Sequence, residues 1–480
     1  MTSESPPNVL FILTDDQGPW AMGCSGNDEI RTPGIDRIAC SGIRFEHFLC
    51  ASPVCSPSRA SFLTGRTPSQ HGVHDWIRAG NTGPEAETYL AGEVAYTDVL
   101  AAHGYTVGLS GKWHLGNSQL VQNGHSHWYV HQRGGGDYND APMIREGILL
   151  DEPGYVTNRI TEDALDFLGQ HTAAASDGAA PFYLGVHYTA PHSPWTGHPP
   201  DIVDSYADCA FDSCPQEPMH AWARGHGLSE SCLGNREMLQ GYFAAVTAMD
   251  ADIGRLLDRL ESLGLRDNTL VVLASDNGFS CGHHGFWGKG NGTFPLNMFE
   301  NSVTVPFLVS QPGTIPSGVV ESGQHGACDF FPTLLQYLGL PEPACDTEGG
   351  ERPGASFADV LTGALSGGQE TLVVDGVSHC AEYGASRMVR TESWKYVDRG
   401  DELSGELYHL AEDPDERVNL INDDGARVRR AELHGVLTDW FARYGVGERD
   451  GRQWHISGGG QLRPVGGDRE KSGSPVFTEH

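Results

Sequence analysis

The sequence is poor in lysine, although it carries many charges. Only four of its 31 basic residues are lysines, Lys112, Lys289, Lys395 and Lys471, and 63 acidic residues bring the net charge to −32. A surface this negative repels nucleic acid and anionic lipid, so we expect neither as a partner. An anionic small substrate is still compatible with this charge, because a local cluster of cations can dominate inside a cleft.

The sequence also lacks long apolar runs and cysteine pairs of the metal-binding kind. Its first apolar run, Val9–Leu13, is too short for a secretory signal, and no later run approaches the ~18 residues of a membrane span. We therefore expect a cytoplasmic protein without membrane contact. The 11 cysteines include no Cys-x-x-Cys pair, and in a reducing compartment we expect them to be free thiols.

Three short apolar runs each end in a cluster of polar residues, a pattern typical of buried strands in a parallel sheet. Ligands of open α/β sheets bind outside the carboxyl ends of the strands, so these clusters are expected to converge on one site. The runs and the polar residues that follow them are Asn8–Leu13 with Asp15 and Asp16, Thr269–Ala274 with Asp276 and Asn277, and Phe182–Val186 with His192.

Helical patterns alternate with these strands over Tyr96–His103, Asn158–Gly169 and Glu237–Leu263. The alternation predicts an α/β fold, with a large mixed, mainly parallel sheet sandwiched by helices. We expect this catalytic domain to cover residues 1–365.

The pattern changes after about residue 365, where short strands joined by tight turns predict a smaller C-terminal subdomain with an antiparallel sheet over residues 366–445. A helix over Ala426–Tyr444 is expected to follow these strands. Residues 446–480 are rich in glycine and predict a flexible tail or a loop over the active site. The expected strands are Thr371–Val374, Ser386–Arg390, Lys395–Asp398 and Glu406–His409.

The run Cys55-Ser56-Pro57-Ser58-Arg59 fits the pattern Cys-x-Pro-x-Arg and continues into Ala60–Arg66. The whole stretch resembles the signature of the type I sulfatases, arylsulfatase-like members of the alkaline phosphatase superfamily. The resemblance implies that a dedicated maturase oxidises Cys55 to formylglycine, which serves as the nucleophile, and that Arg59 positions this turn. It also implies hydrolysis of a sulfate ester to an alcohol and inorganic sulfate through a covalent formylglycine-sulfate intermediate.

Asp15, Asp16, Asp276 and Asn277 offer hard oxygen donors, which suit Ca²⁺ or Mg²⁺ better than zinc. An isolated Asp-Asp after a strand is usually a turn or a helix cap, but here two such clusters accompany the nucleophile motif. The resemblance implies that these four residues bind one Ca²⁺ ion together with residue 55.

The segment Gly111–Gly116 resembles the family's Gly-Lys-Trp-His-Leu-Gly, and it is expected to place Lys112 and His114 on one face of an extended strand end. The resemblance implies that Lys112 and Lys289 bind the sulfate oxygens and that His114 contacts the formylglycine. It further implies that His192 protonates the leaving alkoxide.

His74 and Trp128 lie in two runs rich in aromatic residues and histidine, and we expect both to contact the substrate, although ordinary loop packing explains them equally well. The expected substrate is a small sulfated molecule, preferably a sugar. Two alternatives remain open: a phosphonate monoester or phosphodiester hydrolase of the same superfamily, and an inactive carbohydrate-binding relative.

Overall fold

A computed structural model describes residues 6–174, 180–223, 227–344, 350–363, 379–400, 403–465 and 475–478. The described strands are β1 Asn8–Thr14, β2 Ile43–Leu49, β3 Thr106–Gly111, β4 His127–His131, β5 Met143–Arg145, β6 Ile148–Leu150, β7 Phe182–His187, β8 Thr269–Ser275, β9 Ser280–Cys281, β10 Trp287–Gly288, β11 Phe307–Ser310, β12 Val319–Gly326, β13 His379–Tyr383, β14 Ser386–Arg390, β15 Trp394–Asp398 and β16 Glu406–His409.

The described α-helices are α1 Pro33–Cys40, α2 Cys55–Thr64, α3 Pro68–His71, α4 Tyr96–Ala102, α5 Val156–Ala174, α6 Pro200–Asp204, α7 Gly227–Cys232, α8 Arg236–Ser262, α9 Glu300–Val303, α10 Ala327–Tyr337, α11 Ala358–Leu361 and α12 Arg427–Tyr444. Among these, no helix is long and apolar enough to cross a membrane.

Ten strands form one large sheet in the order β12-β2-β11-β8-β1-β7-β3-β4-β5-β6. The five strands from β8 to β4 run parallel to one another. Strand β11 is antiparallel to both of its neighbours, and β5 and β6 close the other edge in antiparallel pairing. The prediction of a mixed, mainly parallel sheet is confirmed.

Side chains of β1 alternate between two hydrophobic cores because successive residues of a strand point to opposite faces. Val9 and Phe11 pack into the core that contains residues of α2, α4 and α10. Leu10 and Ile12 pack into the core that contains residues of α1, α5 and α8. Helices therefore cover both faces of the sheet, as the strand–helix alternation predicts.

Strands β13 to β16 form a separate antiparallel sheet, which packs on α12 through residues such as Val389, Leu407 and Leu437. This confirms the predicted C-terminal sheet and helix. The sequence pattern missed β13, and the predicted strand Thr371–Val374 lies outside the described residues. The predicted boundary near residue 365 also lies there, so the three-part division of the chain stays a prediction.

Residues 445–465 and 475–478, here called the C-terminal segment, pack against residues 69–78. Gln461 forms a parallel bridge with Ile77. Its N–H donates to Trp76 O at 2.8 Å, and its carbonyl accepts from Arg78 N at 2.9 Å. The C-terminal segment thus lies over the stretch of chain that follows α2, the helix that begins with the predicted nucleophile.

Candidate active site

The polar residues predicted to converge do lie together, at the carboxyl edge of the large sheet. Strands β8, β1, β7 and β3 are consecutive neighbours, so the loops after them are adjacent. Asp276 N donates to Thr14 O at 3.1 Å, and Lys112 N donates to His187 O at 2.7 Å. These main-chain bonds fix the relative positions of the strand-end loops.

Cys55 is the first residue of α2 and is only 2% exposed. Its Sγ lies 3.2 Å from Asp15 Oδ1, and Lys289 Nζ donates to it at 2.7 Å. Burial and the charge of Asp15 raise the pKa of the thiol to about 12. The position at a helix N-terminus favours negative charge, because unpaired N–H groups of the first turn point toward it.

Three carboxylates surround Cys55. One oxygen each of Asp15, Asp16 and Asp276 lies within 4.8 Å of the others and of the thiol. Asn277 Nδ2 donates to Asp16 Oδ1 at 2.8 Å, while its buried Oδ1 has no hydrogen-bond partner among the described residues. Buried acceptors are rarely left unpaired, so this oxygen is open to a further ligand, and the three carboxylates fit a hard cation such as Ca²⁺.

Three cationic side chains face these three carboxylates, and all six are buried. Lys112 donates to Asp15 Oδ2, Lys289 donates to Asp16 Oδ1, and Arg59 Nε donates to Asp276 Oδ2 at 2.8 Å. Pairing of this kind lets a low-dielectric site hold many charges. A divalent cation would leave the site with a net positive charge, as an anionic ligand requires.

The cations affect the carboxylates unequally. Burial alone would raise the pKa of Asp15, but Lys112 and the other cations hold it well below its usual range. Burial and the neighbouring Asp15 raise the pKa of Asp276 to about 6. Burial alone would lower the pKa of Lys289, but Asp16 and Cys55 raise it well above its usual value, so Lys289 stays charged.

His192 follows β7 and lies on the open side of the site. Its side chain is 27% exposed, more than that of Asp16, Lys289 or Arg59. Its Nε2 lies 3.8 Å from Asp16 Oδ2, and its Nδ1 lies 2.7 Å from Ser193 O. A ligand that enters from solvent would therefore meet His192 first.

His114 is buried beside the site, with Nε2 2.9 Å from Ile77 O. Its Nδ1 has no partner among the residues that the structure describes. Burial and the charge of Lys112 keep the pKa of His114 well below its usual value. The predicted extended strand end is wrong here: β3 ends at Gly111, and His114 has a left-handed backbone with φ 55°. A turn, not a shared strand face, places Lys112 and His114.

The two predicted substrate contacts lie in packed regions. Trp128 is completely buried, and its Nε1 donates to Ser118 O at 2.8 Å. It exposes no face to a ligand, so the predicted substrate contact of Trp128 gains no support. His74 is 1% exposed, and its Nε2 lies 2.7 Å from Arg449 O of the C-terminal segment.

Sequence reasoning missed the groups that hold His114 in place. Ser56 Oγ donates to His114 O at 2.9 Å and accepts from Ile77 N at 3.0 Å. Ser56 occupies a variable position of the nucleophile motif, and Ile77 acts through its main chain, so side-chain patterns identify neither. The main chain at Gly134 also lies against the His114 ring. The run of three glycines at 134–136 is therefore the one signal in the sequence that could have pointed to these contacts.

Two family models match the chain. The model described as Sulfatase matches residues 7–340, and the model described as N-sulphoglucosamine sulphohydrolase, C-terminal, matches residues 282–442. The first match covers more than half of the chain and contains every residue of the site described above.

Similar proteins include an N-acetylglucosamine-6-O-sulfatase from Bacteroides thetaiotaomicron, 27% identical over 93% of this chain and 88% of its own. An ulvan-active sulfatase from Formosa agariphila is 28% identical over 92% of this chain and 82% of its own. A solved structure in complex with its substrate D-glucosamine-2-N,6-O-disulfate has a TM-score of 0.78 and 26% identity, and covers 93% of this chain and 100% of its own.

Proposed function

Because this chain belongs to the sulfatase family and is a sulfuric ester hydrolase, we propose that it hydrolyses a carbohydrate sulfate with a formylglycine at position 55 and one Ca²⁺ ion. The observation that carries the proposal is the position of Cys55, at the start of α2 between Lys289 and Asp15. At this position the nucleophile lies next to both a cation, Lys289, and the cluster of oxygen ligands.

Asp15, Asp16, Asp276 and Asn277 would hold the metal, and the unpaired Asn277 Oδ1 supports this assignment. When bound, Ca²⁺ supplies a fixed positive charge that orients the nucleophile and offsets charge on the sulfuryl oxygens. Lys112 and Lys289 add positive charge from two sides. Such preorganised cations hold the sulfuryl group in place and offset negative charge in the transition state without having to reorganise.

Position 55 supplies the nucleophile. A formylglycine there supplies a hydrated aldehyde, in which one hydroxyl attacks sulfur while the other provides the proton whose loss releases sulfate. Asp15 Oδ1, 3.2 Å from the Cys55 sulfur, is placed to accept a proton from that position. Conversion of Cys55 requires a modifying enzyme in the host, which would be a partner of this chain.

The two histidines would act from opposite sides of the site. His192, on the open side of the site, would donate a proton to the departing sugar oxygen. His114, held by Ile77 O and buried beside Lys112, would contact the nucleophile from the closed side. The relatives named above act on sulfated sugars, which supports a sugar as the alcohol that leaves.

The nucleophile is tested by replacing Cys55 in protein made in cells that can modify it. Cys55→Ala should lower turnover of a sulfated sugar more than about 1,000-fold, because no other group can form the covalent bond. Cys50→Ala, the same change at another buried cysteine, should retain turnover. Peptide mass spectrometry should show the thiol-to-aldehyde conversion at position 55. An active protein that carries only the thiol would contradict the proposal.

The metal is tested by chelation. Removal of divalent cations should abolish turnover and lower the melting temperature, and Ca²⁺ should restore both, because a ligand bound to the folded state stabilises it. Asn277→Ala should need more Ca²⁺ for the same shift in melting temperature. If chelation leaves turnover and melting temperature unchanged in the unmutated protein, the metal assignment is wrong.

The substrate class is tested with a panel of compounds. We expect kcat/KM to be highest for a sulfated mono- or oligosaccharide, lower for 4-nitrophenyl sulfate, and lowest for a phosphate diester and a phosphonate monoester. The reverse order between sulfate and phosphorus substrates would replace the sulfatase proposal by the alternative within the same superfamily.

A further inference from the structure

Residues 133–136, here called the glycine loop, follow β4 at the same edge of the sheet as the active site. The loop lies directly on the rings of His114 and His192. A Cβ atom at position 134 would be 2.1 Å from His114 Cε1 and 2.3 Å from its Nε2. A Cβ atom at position 135 would be 3.2 Å from His192 Nδ1. The main chain of one loop therefore contacts both histidines.

Close contact, and not backbone conformation, explains the glycines at these two positions. Neither Gly134 nor Gly135 has the positive φ that favours glycine, so an alanine could adopt either backbone. A side chain at position 134 would collide with the His114 ring, and one at position 135 would crowd the His192 ring. Glycine is used where a backbone must approach another group closely, and here that group is an imidazole.

The ring of His114 cannot easily yield to an added methyl group. Its Nε2 bonds to Ile77 O, its carbonyl accepts from Ser56 Oγ, and its backbone is already left-handed. Ile77 is held in turn by the bridge to Gln461 of the C-terminal segment. The ring thus lies between the main chain at residue 77, to which it is hydrogen-bonded, and the main chain at residue 134.

The glycine loop is itself anchored at both ends. At its start, Gln132 N donates to Pro142 O at 2.8 Å, and Arg133 N donates to His131 Nδ1 at 3.0 Å. After it, Tyr138 Oη donates to His192 O at 2.8 Å. Tyr138, two residues beyond the loop, therefore holds the main chain of His192, while the loop lies against its ring.

We propose that Gly134 and Gly135 are positioning residues that set the ring orientations of His114 and His192 for the hydrolysis described above. The inference rests on that proposed function. Gly134 lies against the His114 ring, so the ring keeps the one orientation in which its Nε2 bonds to Ile77 O. Gly135 lies against the Nδ1 edge of His192 and leaves Nε2 directed at the site. A proton donor must stay within hydrogen-bond reach of the leaving oxygen, so small rotations of the ring are costly.

The first test compares kcat and KM of Gly134→Ala and Gly135→Ala with those of the unmutated protein. Gly134→Ala should lower kcat about 100-fold, the loss expected when a catalytic group is displaced by about 1 Å. KM should change less than about 2-fold, because the residues that bind sulfate are untouched. The control is Gly435→Ala, a glycine with open space around its Cβ position, which should leave kcat unchanged.

The second test uses the leaving group, which a purely structural defect would not sense. Gly135→Ala should lower kcat about 10-fold for a sulfated sugar, whose alkoxide needs a proton. The same variant should keep nearly all of its activity on 4-nitrophenyl sulfate, whose phenolate leaves without one. An equal loss on both substrates, with an unchanged melting temperature, would overturn the role of Gly135.

The outcomes separate this inference from the proposed function. If the unmutated protein hydrolyses sulfate esters and both alanine variants match its kcat, the positioning inference is wrong while the function stands. If the unmutated protein hydrolyses no sulfate ester, the proposed function fails first. Should Gly134→Ala fold poorly, Gly135→Ala, judged by the ratio of the two substrates, still tests the inference.

Discussion

Two of the four lysines lie in the site, and a third, Lys395, is also buried. Lys112 and Lys289 each donate to a carboxylate that follows β1, while Lys471 lies outside the described residues. The three cations and three carboxylates of the site cancel, so the site becomes positive when a divalent cation is also bound. In a protein with a net charge of −32, such a site creates a local field opposite to that of the surface. The site can therefore attract a sulfate that the rest of the molecule repels.

His74 has a role in stability that can be measured. Burial lowers its pKa to about 4, while its pKa in the unfolded chain is about 6.5. The stability from neutral His74 is fully present above about pH 6.5 and is lost as the pH falls toward about 4. Between about pH 6.5 and about pH 4, protonation of His74 in the unfolded chain should lower the free energy of unfolding by about 1.4 kcal/mol for each unit by which the pH falls.

We therefore expect His74→Gln to unfold with a weaker pH dependence than the unmutated protein. Urea unfolding at about pH 7 and about pH 5 checks this difference. The control is His103→Gln, at an exposed position, which should leave the slope unchanged. Identical slopes for His74→Gln and the unmutated protein would show that burial does not hold His74 neutral.

The residues of the candidate site could be predicted from the sequence because each lies in a short local motif. Asp15, Cys55 and Lys112 are of this kind, and the structure brings them together. Trp128 could not be placed in this way, because an aromatic residue in a polar run looks the same whether it lies in a core or at a surface. Gly134 depends on contact with a ring 20 positions earlier, which no local pattern records.

At the scale of elements, one side chain of the C-terminal segment bonds to three main-chain groups of residues 72–75. Gln461 is completely buried, and its Oε1 accepts from His74 N at 2.8 Å and from Asp75 N at 3.3 Å. Its Nε2 donates to Gly72 O at 3.0 Å. One carboxamide thus satisfies main-chain groups that would otherwise be buried without partners.

Gln461→Ala should lower the free energy of unfolding by about 2–4 kcal/mol, because buried main-chain groups lose their partners. It should also lower kcat, because Ile77, which bonds to the His114 ring, lies in the released stretch. Thermal unfolding and steady-state kinetics check both effects. Gln453→Ala, at an exposed position of the same segment, should change neither, and similar losses in both variants would contradict this role.

Element types could be predicted well where one pattern dominates. Strand β14 has the predicted bounds Ser386–Arg390, because its pattern is bounded by clear turns. Helix α5 is longer than predicted at both ends, since packing against the sheet extends a helix beyond its best-forming residues. The link between the C-terminal segment and residues 69–78 spans nearly 400 positions and has no sequence signature.

At the scale of the whole molecule, a buried ionic group connects the C-terminal sheet to the large sheet. Lys395 in β15 is completely buried, and its Nζ lies 3.1 Å from Glu300 Oε1 and 2.7 Å from Glu416 Oε1. Glu300 begins α9, which precedes β11 of the large sheet. Burial alone would raise the pKa of Glu300, but Lys395 and Arg390 lower it to about 2.

Lys395→Met should lower the free energy of unfolding by about 3–5 kcal/mol, because it leaves Glu416 buried without its cation and Glu300 with Arg390 alone. Arg443→Met breaks an ion pair whose side chains are both mostly exposed, and it should cost about 0–1 kcal/mol. Chemical unfolding of the two variants side by side measures the difference. Equal effects would mean that the buried group does not hold the two sheets together.

The central position of β1 has a consequence for timing during synthesis. Strand β1 leaves the ribosome early, but its partner strands begin only at Phe182 and Thr269. About 210 residues separate Cys55 from Thr269, which takes about 10–40 s at about 5–20 residues per second. Until β8 has been synthesised, the pocket that buries Cys55 lacks the side formed by this strand and the residues that follow it. Translation speed over residues 56–269 therefore sets how long the modifying enzyme proposed above would have access to this cysteine before folding encloses it.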